Sequence, residues 1–173
     1  LGSIGTEVAR LAAPLGLKVS AIRRRADLER PAEVDELLPP DRLDELLAKS
    51  DIVLLAAPLT AVTRALIGRR ELGLMKRGAF LINVGRGGLV DDDALVAALR
   101  TGHLGGAALD VFAEEPLPGS SPYWDLANVI VTPHTSGTME DSWAQLVSLF
   151  SENLRRFEAG LPLLNVVDKL AGY

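Results

Sequence analysis

Short apolar runs bounded by turn residues recur along the 173-residue chain, and this pattern limits its fold more than any other feature. They show no polar alternation, which is typical of parallel strands buried on both faces. Segments with helical spacing lie between several of them. Strands that alternate with helices predict right-handed crossovers and therefore an α/β fold with a doubly wound parallel sheet. The runs are IVLLA after Asp51, AFLIN (79–83), GAALDVF (106–112) and NVIVT (128–132).

The sequence also predicts helices and one further strand. Apolar residues at helical intervals over 4–15 indicate a first helix, which Gly16 is suited to end, and a strand candidate follows over 18–22. Asp41 is a candidate cap for a short helix through Ala48. The stretch DDDALVAALRTG predicts a helix with aspartates at its positive end.

A longer helical pattern occupies the C-terminal part of the chain. We divide the sequence there into a domain over 1–137 and a C-terminal helix and tail over 138–173. A single apolar stripe favours a helix packed on a core over a membrane or partner helix. The stripe contains Trp143, Leu146, Val147, Phe150, Leu154 and Phe157.

Composition excludes several classes of function. Apolar residues make up 48% of the chain and charged residues 24%, and no apolar run approaches the roughly 18 residues of a membrane span. A formal net charge of -5 gives no support to a nucleic-acid partner. With no cysteine there is no disulfide and no thiolate metal site, and we expect no metal and a cytoplasmic protein.

The chain opens with LGSIG, which resembles the end of a glycine-rich phosphate-binding loop before a helix. Gly2 and Gly5 would be its second and third glycines, and a flexible terminus is the alternative. The residue that reads the ribose is expected about 20 residues beyond such a loop, where the sequence has Arg23. Arginine there, helped by Arg24 or Arg25, suits a 2′-phosphate. The alternative is a solvated basic run neutralised by Asp27 and Glu29.

Three stretches place a chemically capable residue just beyond a predicted strand. NVGRGGLVDDDAL carries Arg86, ALDVFAEEPLP carries Glu115 and VIVTPHTSG carries His134. Ligands of open α/β sheets bind at that edge. Taken singly, a loop charge, a solvated acidic pair and a structural histidine are the alternatives. The other histidine, His103, follows a glycine in a turn and is predicted to face solvent.

Together with the loop LGSIG and the tail NLRRFEAGLPLLNVVD, these stretches resemble the D-isomer-specific 2-hydroxyacid dehydrogenases over nearly the whole chain. The resemblance implies a Rossmann-type domain that transfers a hydride between NAD(P)H and a small 2-oxo acid such as glyoxylate or hydroxypyruvate. It implies that Arg86 binds the substrate carboxylate and carbonyl, that His134 is the acid/base, and that Glu115 hydrogen-bonds its imidazole. It implies cofactor contacts at Gly2, Ser3, Ile4, Gly5, Pro58, Thr63, Val84, Gly85, Asp110, Ser136 and Gly137, with Asp110 orienting the nicotinamide.

The sequence departs from the family pattern in two respects. The family's N-terminal substrate segment and first nucleotide-binding strand are absent, so we expect these 173 residues alone to be inactive. The C-terminal helix and tail over 138–173 would return to that missing domain, so we also expect exposed apolar surface on the helix. Arg23 replaces an acid, so we expect NADP to be preferred, with NAD as the alternative. The resemblance implies a homodimer for the intact protein. A dinucleotide-sensing or corepressor-like binding protein and an inactive remnant stay open as other hypotheses.

Overall fold

The computed structural model describes residues 1–24, 29–138 and 141–170. Within these described residues, six parallel strands form two sheets, one of two strands and one of four. In the larger sheet the strands follow chain order, so each connection returns to the adjacent position. The strands are β1 (Ser20–Ile22), β2 (Glu36–Leu38), β3 (Ile52–Leu55), β4 (Phe80–Asn83), β5 (Gly106–Leu109) and β6 (Val129–Val131).

In the described part of the chain, five α-helices accompany the strands. The first ends in a 3₁₀ turn at Gly16, whose φ of 81° requires the left-handed conformation that glycine adopts easily. The Asp91 side chain caps the fourth helix by accepting the Ala94 N–H at 2.9 Å. The helices are α1 (Ser3–Ala12), α2 (Leu43–Lys49), α3 (Arg69–Leu74), α4 (Asp92–Arg100) and α5 (Ser142–Glu158).

The register of the large sheet brings the ends of its strands level. Leu55 pairs with Asn83, and Asn83 pairs with Leu109, which pairs with Val131. The central strands β4 and β5 are covered by α3 and α4, and their inward side chains, including Leu81 and Leu109, belong to the main core. A second, smaller cluster contains Ala9, Ala21 and Val34 and joins α1 to the small sheet.

The expected parallel α/β architecture is confirmed, and the predicted strands lie where the apolar runs are. The capping prediction for Asp41 is wrong. Pro39 and Pro40 lead into a 3₁₀ turn that contains Asp41, and α2 begins after Arg42 without a side-chain cap. The prediction for His103 is also wrong, because its Nε2 lies 2.9 Å from the Leu72 carbonyl oxygen and the ring is partly buried.

The helical prediction for the C-terminal part is confirmed by α5, which exposes its apolar stripe, as expected for this chain, and does not pack it on the core. None of the described side chains of α5 is buried, and Trp143 is 80% exposed. The apolar stripe therefore faces outward in this chain. Among the described helices, none combines the length and the hydropathy needed to cross a bilayer.

Candidate functional site

The loops that follow the four strands of the large sheet meet at one edge. Because all four strands are parallel, their carboxyl ends lie together, and each loop starts from a fixed end. Arg86 lies on the loop after β4, Glu115 on the loop after β5 and His134 on the loop after β6. The structure thus brings these three predicted residues together around one cavity of about 350 Å³.

The turn that carries Arg86 is held by a buried amide. Asn83 is 1% exposed, donates through Nδ2 to the Arg86 carbonyl oxygen at 3.0 Å, and accepts the Gly85 N–H at 3.1 Å. A buried amide that satisfies both sides of a turn stabilises one conformation of that turn. The Arg86 guanidinium itself is exposed and donates to the Gly85 carbonyl oxygen at 2.7 Å.

Gly87 allows this turn to pack against the next loop. A Cβ built on Gly87 would lie 1.9 Å from the carbonyl carbon of Phe112, a distance that no side chain tolerates. Glycine is required here because two backbone segments touch. The same contact places Arg86 beside the loop that ends at Glu115.

Glu115 and His134 form a hydrogen-bonded pair across two loops. The imidazole Nδ1 lies 2.7 Å from Glu115 Oε2, and the Phe112 N–H donates to Oε1 at 2.9 Å. The bond from His134 and the bond from Phe112 hold the pKa of Glu115 below its ordinary value, against the effect of burial. The carboxylate is therefore ionised at neutral pH, so Nδ1 carries the proton and Nε2 is available to a ligand.

Asp110 holds the loop on both sides of His134. Its buried carboxylate accepts the Thr132 hydroxyl at 2.6 Å and the N–H groups of Thr135 and Ser136, each at 3.0 Å. Burial alone would raise the pKa of Asp110, but the bonds from Ser136, Thr132 and Thr135 outweigh it and lower the pKa well below the ordinary value.

The backbone of His134 needs this support. Its φ is 54°, in the left-handed region, which costs a non-glycine residue about 1 kcal/mol or more. Such a conformation persists where the surroundings determine it, and here Asp110 bonds to residues on either side. Asp110 thereby positions His134 through the loop.

Two cavities flank the Glu115–His134 pair. The cavity of about 350 Å³ has a mixed polar and apolar lining that includes Arg64 and Arg86, whereas the second, of about 630 Å³, is mainly apolar and includes Leu117 and Trp124. An anionic ligand is favoured in the first of these, because both arginines lie there.

The glycine loop and Arg23 lie at the carboxyl end of β1, in the small sheet. Gly2 precedes α1 in extended conformation, so the first N–H groups of that helix have no partner within it. The Arg23 guanidinium donates to the Leu1 carbonyl oxygen at 3.2 Å and the Glu29 carbonyl oxygen at 3.1 Å. Arg23 therefore lies beside the loop. Arg24 is exposed, and the predicted partners Arg25 and Asp27 lie outside the described residues.

The remaining predicted cofactor contacts lie on the loops of the large sheet. Thr63 Oγ1 donates to the Pro58 carbonyl oxygen at 2.6 Å, which closes the loop after β3. The Val84 N–H donates to the Leu55 carbonyl oxygen at 3.1 Å. Gly137 is exposed on the loop after β6. In the part of the chain that the structure describes, no three His, Asp or Glu side chains cluster as metal ligands do.

With this geometry established, comparison with known proteins identifies the family. The sequence profile of "D-isomer specific 2-hydroxyacid dehydrogenase, NAD binding domain" matches residues 1–136. The chain belongs to the D-isomer specific 2-hydroxyacid dehydrogenases. The resemblance inferred from the sequence motifs is thereby confirmed, and the fold is that of the family's NAD(P)-binding domain.

Named relatives of this dehydrogenase chain act on small hydroxy or oxo acids. It is 39% identical over 171 residues to the glyoxylate reductase of Aeropyrum pernix, covering 98% of this chain and 50% of the relative. It is 39% identical over 172 residues to the glycerate dehydrogenase of Methylorubrum extorquens, covering 96% and 50%. The chain spans about half the length of the curated relatives it matches.

Solved structures of the family superpose closely. A D-isomer specific 2-hydroxyacid dehydrogenase from Xanthobacter autotrophicus, in complex with NADPH and MES, gives a TM-score of 0.92 at 41% identity and covers 100% of this chain and 70% of that one. An NADPH-dependent glyoxylate/hydroxypyruvate reductase from Sinorhizobium meliloti, in complex with NADP and sulfate, gives 0.90 at 37% identity, covering 100% and 55%.

Two features of this dehydrogenase domain escaped the sequence analysis. Asn83 was treated only as the end of an apolar run, although a polar residue that closes such a run is a signal for a buried turn-stabilising group. Arg64, which lines the cavity with Arg86, was not distinguished from other surface arginines. No local pattern identifies it, because its neighbours in the cavity come from distant loops.

Proposed function

We propose that the complete protein reduces a small 2-oxo acid to a D-2-hydroxy acid with NAD(P)H. The observation that carries this proposal is the meeting of Arg86, Glu115 and His134 around one cavity. Reduction of a 2-oxo acid requires a cation for the carboxylate, a proton donor for the carbonyl oxygen and a group that keeps this donor charged. Arginine, histidine and glutamate supply these in that order.

The hydrogen bonds of the site support distinct roles for the three residues. Arg86, on its fixed turn, binds the substrate carboxylate in a fork and polarises the neighbouring carbonyl. His134 donates a proton from Nε2 to the carbonyl oxygen, while Glu115 accepts from Nδ1 and favours the imidazolium. A reduced nicotinamide bound beside this cavity supplies the hydride for the carbonyl carbon.

The residues at the carboxyl edge fit a dinucleotide. The N-terminus of α1 offers backbone N–H groups and a positive dipole end to the pyrophosphate, through Gly2, Ser3, Ile4 and Gly5. Gly85 lies so close to the loop after β3 that a Cβ would meet the Ala57 carbonyl oxygen at 2.9 Å. We assign the nicotinamide side of the cofactor to this closely packed part of the edge. Its contacts are Pro58, Thr63, Val84, Gly85, Asp110, Ser136 and Gly137.

Substitution of Arg86 by lysine tests the reaction and its residues. The assay follows NADPH and NADH oxidation with glyoxylate and hydroxypyruvate in the protein expressed from the complete gene. Arg86→Lys keeps the charge but loses the bidentate geometry, so we expect KM to rise and kcat to fall, with kcat/KM lower by about tenfold to hundredfold.

The control is Arg77→Lys, which alters an exposed arginine before β4, at the opposite edge of the sheet. It should leave kcat and KM unchanged. If neither 2-oxo acid is reduced, or if the two variants behave alike, the proposal is wrong.

NADPH is the cofactor that the arginines favour. Arg23 uses two of its five donors on backbone carbonyls beside the loop, which leaves others for a 2′-phosphate. We expect Arg23→Asp to move preference toward NADH by about 1–3 kcal/mol, the scale of a charge-assisted hydrogen bond. The measurement is the ratio of kcat/KM for NADPH to that for NADH.

Lys18→Asp makes an equal charge change on an exposed residue near the other end of β1 and serves as the control. It should leave the cofactor ratio almost unchanged. A wild-type kcat/KM that is higher for NADH than for NADPH would contradict the assignment of Arg23.

A further inference from the structure

The cavity beside His134 contains a second arginine that the reaction as described does not use. Arg64 lies on the loop after β3 and lines the cavity together with Arg86, Glu115 and His134. Its Nη1 lies 3.7 Å from the position that a Cβ would take on Gly88, so the guanidinium extends over the turn that carries Arg86.

Backbone bonds determine where Arg64 lies. The Arg64 N–H donates to the Thr60 carbonyl oxygen at 3.0 Å, and the next N–H, of Ala65, donates to the Gly88 carbonyl oxygen at 2.8 Å. The Ile67 N–H then donates to the Leu89 carbonyl oxygen at 3.0 Å. The loop of Arg64 and the turn of Arg86 are therefore joined directly, and the spacing of the two arginines is built into the fold.

Arg64 has no anionic partner within residues 1–24, 29–138 and 141–170. Several other arginines at the surface pair with a nearby carboxylate, as Arg70 does with Asp44 at 2.6 Å. In the cavity the only carboxylate among the lining residues, Glu115, is already bonded to His134. A guanidinium that lines the cavity without an ion-pair partner can bind an anionic group of a ligand.

The charge balance of the cavity indicates what that ligand carries. With His134 protonated for proton donation, the lining holds three positive groups and one negative group. The lining therefore carries two positive charges in excess. A substrate with a single carboxylate compensates one of them, whereas a substrate with two anionic groups compensates both. Repulsion between like charges in a partly enclosed site favours the second kind of substrate.

We propose that Arg64 binds a second anionic group of the substrate, so that the protein prefers 2-oxo acids that carry a further carboxylate or phosphate. This inference rests on the proposed function, since it takes Arg86 as the site of the 2-oxo acid carboxylate. Arg64 is a specificity-determining residue and takes no part in the transfer of the hydride or the proton.

The test measures kcat/KM with NADPH for three 2-oxo acids in the protein expressed from the complete gene. Glyoxylate carries one carboxylate, 2-oxoglutarate adds a second carboxylate, and 3-phosphohydroxypyruvate adds a phosphate. We expect the wild type to prefer one of the two acids with a second anionic group over glyoxylate, and the preferred acid identifies that group. Arg64→Gln should lower that preference by about tenfold to hundredfold, chiefly through KM.

Two further variants separate binding from a structural role. Arg64→Lys keeps a positive charge and should restore part of the preference. If residue 64 had only a structural role, lysine would change kcat/KM for all three acids alike. Arg77→Gln removes an exposed arginine at the opposite edge of the sheet and should leave the preference unchanged.

The outcomes distinguish this inference from the proposed function. If the wild type prefers glyoxylate, or if Arg64→Gln lowers kcat/KM equally for all three acids, the role of Arg64 is wrong while 2-oxo acid reduction stands. If none of the three acids is reduced, the proposed function fails and the inference fails with it.

Discussion

The two sheets of this chain are supported very differently. The large sheet, β3 to β6, rests on a continuous core that includes fully buried Leu81 and Leu95. The small sheet, β1 and β2, rests on a cluster whose buried members are Ala9, Ala21 and Val34. Buried apolar area is the main favourable term in folding, so the large sheet provides most of the stability.

The functional residues of the two regions are held in correspondingly different ways. The loop of Arg86 is stabilised by the buried side chain of Asn83. The loop of His134 is stabilised in the same way by the buried carboxylate of Asp110. Arg23, in the small region, is held through backbone carbonyl oxygens near the surface. Under the proposed function, the residues assigned to catalysis thus rest on the large core, whereas Arg23, which is assigned to the choice of cofactor, rests on the smaller cluster.

Core substitutions provide the largest expected contrast between the regions. Leu81→Ala removes a fully buried side chain from the central strand β4 and should lower the free energy of unfolding by about 2–5 kcal/mol. Val34→Ala removes two methyl groups from the small cluster and should cost about 2 kcal/mol, with faster amide exchange confined to β1 and β2. Urea denaturation and native-state hydrogen exchange measure both effects.

Val62→Ala is the control for the valine substitution, because Val62 is 87% exposed. It should change the stability by less than about 0.5 kcal/mol. If Val34→Ala accelerates exchange throughout β4 and β5 as well, the two regions unfold as one unit and the contrast drawn here is wrong.

Asp110 tests whether the site loops depend on a buried charge. Asp110→Asn should lower the free energy of unfolding at pH 7 by about 1–3 kcal/mol, because the carboxylate accepts three donors of the loop around His134. The lowered pKa of Asp110 means that this contribution is complete above about pH 4 and is lost as the pH falls through the native pKa. The difference between variant and wild type should therefore narrow below pH 4, as followed by urea denaturation.

Asp125→Asn changes an exposed carboxylate between β5 and β6 and should show almost no difference at any pH. A difference for Asp110→Asn that stays constant down to pH 3 would mean that hydrogen-bond geometry, and not charge, explains its effect.

The smallest expected effect concerns Glu115. Glu115→Gln replaces the charged acceptor that lies 2.7 Å from His134 Nδ1 by a neutral amide, so kcat for reduction should fall by about tenfold with little change in KM. Glu114→Gln, at the exposed neighbouring position, is the control and should leave kcat unchanged. An unchanged kcat for Glu115→Gln would remove its coupling to His134.

Much of the large region was predictable from the sequence because its signals are local. Apolar runs between turn residues predicted β3 to β6, and strand ends indicated where Arg86, Glu115 and His134 lie. The strand β2 was missed, since its three residues include a glutamate and precede two prolines. The helix α3 was missed because its six residues are too few to show a helical periodicity.

Other features depend on partners that the sequence does not bring together. The hydrogen bond of His103 needs the carbonyl of Leu72, thirty-one positions away, and the bonds of Asp110 need the loop after β6. Periodicity alone indicates the apolar face of α5 but not what that face meets, and its exposure in this chain was expected only from the family resemblance.

The direct connection between the Arg64 loop and the Arg86 turn affects how the substrate preference of such a domain can evolve. The connection consists of main-chain bonds, from Ala65 to Gly88 and from Ile67 to Leu89, which exist whatever side chain residue 64 carries. A single codon change there replaces the group that faces the cavity and leaves the reacting residues in place. Position 64 is therefore a suitable site for saturation mutagenesis. Natural substitutions there can likewise change the substrate preference while the turn that holds Arg86 is retained.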